Sequence, residues 1–72
     1  MPLVFANIGN FIVEKISSGL MMKRRLAKMG IIEGKNIEVL SGNFGGPIII
    51  LVDGSRYGIG QNMAKRIFVK NI

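Results

Sequence analysis

The chain has 72 residues, 49% of them hydrophobic, with ten Lys or Arg against four Asp or Glu, no Cys and no His. A chain this short buries only about 60% of its unfolded surface, and with no cysteine it has no disulfide or thiolate metal site to help, so its stability must come from dense apolar packing. Without His or Cys it lacks the commonest general base and the best transition-metal ligands. The residues therefore point away from an enzyme, and no cofactor is expected.

The opening stretch, MPLVFANIGNF, has no basic segment followed by a long apolar one, so it does not read as a signal peptide. Gly9-Asn10 reads as a turn, and Phe11–Ile16 (FIVEKI) as a strand rich in β-branched and aromatic residues. Ser17, Ser18 and Gly19 break it, with Ser18 as the expected N-cap of a helix over Leu20–Met29. On that helix Met22, Leu26 and Met29 recur at i, i+4 and i+7 as one apolar stripe. At roughly 100° per residue, Arg24 and Lys28 point nearly opposite the stripe, while Lys23 and Arg25 flank it. Gly30 falls at the position after the helix where a left-handed residue suits glycine.

Beyond Gly34 the pattern turns to β. Asn36–Leu40 alternates, SGNFGG is a loop and Pro47–Val52 is a strand, with Pro47 at its start because it lacks a backbone donor. Asp53-Gly54-Ser55 reads as a hairpin turn, Arg56–Ile59 as the returning strand, GQNMAK as one helical turn and Arg66–Val69 as the last strand. Five short strands at close spacing predict a small barrel with one helix, a mainly β (small α+β) fold forming a single domain over residues 1–72. Ile48–Val52 is apolar on both alternating faces, and the helix is the expected cover for its outer face. The longest apolar run, Ile48 to Val52, is far short of the ~20 residues that span a bilayer. No membrane span is expected.

Two glycine patterns imitate phosphate loops. Gly30-Ile31-Ile32-Glu33-Gly34-Lys35 has a spacer one residue short of a P-loop, with Asn36 where Ser or Thr belongs, and it follows a helix rather than a strand. Gly58-Ile59-Gly60 has Met63 where the third glycine of a dinucleotide fingerprint belongs. Both read as turn glycines. Five methionines suggest core packing rather than a soft-metal site, because flexible thioethers fill irregular gaps.

The cluster Lys23, Arg24, Arg25 and Lys28 has no acid at i,i+4 and repels itself, which favours an anionic partner. Three readings stay open: a solvated face, a protein-docking surface, or a nucleic-acid surface. A nucleic-acid platform usually adds exposed aromatics, for which Phe44 and Tyr57 are the candidates.

Taken together, the segments resemble the ferrous iron transport protein A (FeoA) family. Leu26-Ala27-Lys28-Met29-Gly30, followed by Ile31-Ile32-Glu33-Gly34 and Ile37-Glu38-Val39-Leu40, is similar to the family's basic helix, Met-Gly stop and following strand. Gly46-Pro47-Ile48 and Ala64-Lys65-Arg66-Ile67-Phe68-Val69 resemble its third-strand start and its ending, and Met1-Pro2-Leu3 and Ile8-Gly9 fit its opening. The chain departs from the pattern at Glu33, where proline is frequent, and at Gly58, Gly60 and Gln61, where a basic stretch is common.

The resemblance implies an SH3-like five-stranded barrel with one covering helix near residues 20–29. It implies a cytoplasmic accessory protein of bacterial ferrous iron uptake, recruited to the inner face of the membrane through its partner. That partner would be a FeoB-type transporter, met at its cytosolic GTP-binding region. Lys23, Arg24, Arg25 and Lys28 are then the expected docking residues. Met22, Leu26, Met29, Gly30, Gly34, Pro47, Ala64 and Ile67 are the expected structural ones. A transition metal ion binding label also comes with the family, although the chain supplies only scattered carboxylates and thioethers. Alternatives are a small basic barrel that binds nucleic acid, and a metal-sensing domain like that of iron-dependent repressors. Open sheet edges add possible self-association.

Overall fold

The structure, a computed structural model, describes residues 1–42 and 45–72. Phe44, one of the two aromatics expected in exposed positions, lies outside the described residues. A 3-10 turn at Leu3–Phe5 leads into β1 (Gly9–Ile16), α1 (Leu20–Lys28), β2 (Asn36–Ser41), β3 (Ile48–Val52), β4 (Ser55–Ile59), α2 (Gln61–Ala64) and β5 (Ile67–Asn71). The strands form one antiparallel sheet in the order β4-β3-β2-β1-β5. Five antiparallel strands with one principal helix make the small barrel that the sequence predicts.

Alternation builds the interior. Phe11 and Val13 of β1, Ile37 and Val39 of β2, Ile48, Ile50 and Val52 of β3, and Ile67 and Val69 of β5 are all buried in one apolar cluster. Their neighbours along each strand face outward. Bulges interrupt β1 between Val13 and Lys15 and β2 between Val39 and Ser41; such extra residues bend a strand and help curl a short sheet.

Several boundaries shift. β1 begins at Gly9, so Gly9-Asn10 is paired to Val39 and Glu38 rather than forming a turn. Ser18 is not the N-cap: Gly19 holds that position without a side-chain cap, and the Ser18 hydroxyl donates to the Gly19 carbonyl. Tyr57 is half-buried in β4 and packs against the core cluster, because its register partner Ile50 points inward.

The placement of α1 also differs from expectation. Its stripe joins the interior cluster: Leu26 is 0% exposed, and Met22 and Met29 pack against the cluster's edge. Ile49 and Leu51, on the outer face of β3, stay half-exposed, so the helix does not cover that face. Interior side chains offer α1 a deeper apolar contact than a flat outer face would. Ile49 instead lies beside Gly58, where an added Cβ would stand 3.5 Å from Ile49 Cδ1.

The helix stop is built as its composition predicts. Gly30 has φ of 85°, the Gly30 N–H donates to Ala27 O at 2.9 Å, and the Ile31 N–H donates to Leu26 O at 2.9 Å. This is a Schellman motif, and its usual apolar contact is met by Ile31 and Leu26, both 0% exposed. The chain then turns at Gly34, whose N–H donates to Val13 O at 2.7 Å. Lys35 pairs with Asp53 at 2.7 Å, tying the start of β2 to the β3–β4 turn.

The outer edge of β5 is lined by the chain's first residues. Pro2 bridges to Phe68, the Val69 N–H donates to Met1 O at 2.7 Å, and the Met1 ammonium donates to Val69 O at 2.7 Å. α2 connects the two edge strands, and Gln61 Nε2 donates to Gly46 O at 2.7 Å.

Candidate docking surface

The four cations of α1 are all exposed. The helix carries no acid in its first turn, and the only ion pair among the described residues is Lys35–Asp53. These charges therefore have no ion-pair partner among the described residues. Arg25 and Lys28 lie in the last turn, where a cation is favoured by the helix dipole.

The structure divides the cluster between two depressions. Lys23 and Arg24 line a groove whose floor is Ile16, Ala27 and Ile31, with Ile32 and Glu33 at its far side. Arg25 lines a second depression with Met22, Met29 and Met63, closed by the Gly58–Gln61 segment. Lys28 lines neither. The first groove is mostly apolar with two cations on one bank, a shape suited to an apolar side chain flanked by carboxylates. Ile32, 51% exposed, extends its apolar surface.

The residues expected to be structural have these positions. Leu26, Ala64 and Ile67 are fully buried, Met22 and Met29 are half-buried, and Pro47 is exposed just before β3. Gly30 and Gly34 have φ of 85° and 87°. The groove's far side, Ile32 and Glu33, is not among the residues picked out by the basic pattern. The only signal for it is the spacing Leu20, Lys23, Arg24, Ala27, which sets one helix face beside the apolar pair that follows Gly30.

Among the described residues no group of three or more Asp, Glu, His or Cys is placed to hold a metal ion. No helix among them is long and apolar enough to cross a membrane.

The profile of the FeoA domain matches residues 1–71. The chain belongs to the FeoA family. Membership supports a role in ferrous iron transport. Among solved structures, an iron uptake regulatory protein (FeoA) is 37% identical, with a TM-score of 0.91, covering 100% of this chain and 97% of that one. The FeoA protein from Chlorobium tepidum is 26% identical with a TM-score of 0.87, covering 100% of this chain and 70% of the other. ScaR with bound Zn2+ is 26% identical with a TM-score of 0.90; all of this chain matches 37% of ScaR, so the FeoA-like unit there is one part of a longer protein. No curated protein matches the chain significantly.

Proposed function

We propose that the chain is a non-enzymatic cytoplasmic accessory protein of ferrous iron uptake that docks, through α1, on the cytosolic GTP-binding region of a FeoB-type transporter. The observation that carries this reading is the groove beside α1, where Lys23 and Arg24, without an ion-pair partner among the described residues, stand over an apolar floor. A cation bank speeds encounter with an acidic surface and fixes its register, while an apolar floor slows dissociation. Family membership supplies the iron-transport setting, and the 37% identical FeoA structure is described as an iron uptake regulatory protein.

The test is a chemical-shift titration of the chain with the transporter's isolated cytosolic domain. Expected are shifts concentrated on Lys23, Arg24, Ala27, Ile31 and Ile32. Absence of any shift at high concentration of the cognate domain overturns the reading.

A further inference from the structure

Away from α1, the fold assembles a second basic surface from residues distant in sequence. On the outer face of β1 and β5, Lys15 stands opposite Phe68 and Lys70 stands opposite Ile12. Just before the start of β5, Lys65 and Arg66 border a depression shared with Ser17, Asn62 and Phe68. All four cations are exposed, and none has an ion-pair partner among the described residues. Two acids lie near this face: Glu14, the neighbour of Lys15 at the β1 bulge, and Glu38 of β2, which stands opposite Asn10 on the same side of the sheet. The centre is apolar, formed by the half-buried Phe68, Ile12 and Pro2. Met1, 45% exposed, and Ile72, 69% exposed, flank the same strand.

We propose that this outer face of the β1–β5 pair binds an anionic bilayer surface directly. Cations spread over a sheet face around a low apolar centre match a plane of phosphate headgroups, with Ile72 adding apolar surface at the end of β5. Each Lys or Arg held near an anionic leaflet contributes roughly a fivefold gain in partitioning. A single-stranded nucleic acid fits less well, because such platforms stack successive bases on several exposed aromatics. Among the described residues Phe68 is the one aromatic of β1 and β5 on this face: Phe11 is buried inside the barrel, Tyr57 packs against the core, and Phe5, 68% exposed, belongs to the 3-10 turn before β1. The proposal does not depend on docking to a transporter. It gives the chain its own affinity for the membrane at which iron uptake occurs.

The test is co-sedimentation of the whole chain with phosphatidylcholine vesicles, with and without phosphatidylglycerol, and no transporter present. Binding is expected only to the anionic vesicles and should fall steeply between low and physiological salt. Lys15→Glu with Lys70→Glu should lower the partition coefficient by well over about 25-fold, the loss that removing two such cations alone would give. The neutral pair Lys15→Gln with Lys70→Gln should give an intermediate loss, and circular dichroism checks that each variant is folded. Three results overturn the proposal: no preference for anionic vesicles; an equal loss from Lys23→Glu with Arg24→Glu, which would make the attraction one of net charge alone; or tighter binding to a polyuridine oligonucleotide through the same lysines.

Discussion

Gly30 and Gly34 share a left-handed backbone, with φ of 85° and 87°, but not the same surroundings. A Cβ on Gly30 would lie 3.3 Å from both Asp53 Oδ2 and Val52 Cγ1, whereas one on Gly34 would meet nothing within 4 Å. Gly34→Ala should therefore cost only the left-handed conformation, about 1–2 kcal/mol, and Gly34→Asn less. Gly30→Ala adds a tight contact against a buried valine and should cost more than Gly34→Ala, as read from urea unfolding of the two variants. Asp53 is the one non-glycine residue with positive φ, 50°, among the described residues, and it sits 65% exposed in its pair with Lys35. Asp53-Gly54 is thus a type I′ turn, in which asparagine is at least as good. Asp53→Asn should leave stability within about 0.5 kcal/mol, since an exposed ion pair contributes little. Asp53→Ala should destabilise more, because alanine tolerates that backbone less well.

For α1 as an element, burial and charge separate cleanly. Leu26 is 0% exposed and anchors the helix to the barrel interior, so Leu26→Ala should cost about 2–5 kcal/mol. In a chain of 72 residues that approaches the whole folding free energy, and thermal unfolding should show a variant largely unfolded near 37 °C. The double change Arg24→Glu with Lys28→Glu touches exposed positions and should leave the fold intact. It exchanges the favourable cation Lys28 in the last turn for an unfavourable anion, two effects of about 0.3–1 kcal/mol each, while weakening binding to the transporter domain in the same titration that tests docking. Loss of the fold on that change would place the buried side of α1 elsewhere. The first turn carries no acid, and Met21 is 72% exposed there. Met21→Glu should raise stability by about 0.3–1 kcal/mol at low salt, with the gain shrinking as salt is added.

Over the whole molecule, the two edges of the sheet are treated differently. β5 is covered by Met1 and Pro2, while β4 ends the sheet on the other side with no further strand beside it among the described residues. In a two-residue hairpin the closing pair, here Val52 and Ser55, is hydrogen-bonded, so alternate β4 residues direct their N–H groups outward. Arg56 and Gly58 are those residues, and their amides should exchange with solvent far faster than those of Val39 and Ile50 in the interior strands, as followed by hydrogen exchange. Self-association through β4 would reverse this order in a concentration-dependent way. The sheet order also explains the second basic face, since it brings the first and last strands together and with them Lys15 and Lys70.

Much of this fold can be read along the chain because it is local. The 3.6-residue spacing of Met22, Leu26 and Met29, the glycine after Met29, the alternation in Asn36–Leu40 and the Asp53-Gly54 turn each express a preference of a few consecutive residues, and the elements formed where those preferences lie. Boundaries moved where pairing overrode a turn residue, as when β2 recruited Gly9 and Asn10 into β1. The side of the barrel that α1 covers was decided by tertiary packing, since the stripe that makes the helix amphipathic is silent about which apolar surface it meets. Tertiary structure likewise decided that Ile31 and Ile32 form a groove with Lys23 and Arg24, and that Lys15, Phe68 and Lys70 share a face. Sequence periodicity determines which side of an element is buried; strand order determines which exposed sides become neighbours, and only the closed chain settles that order.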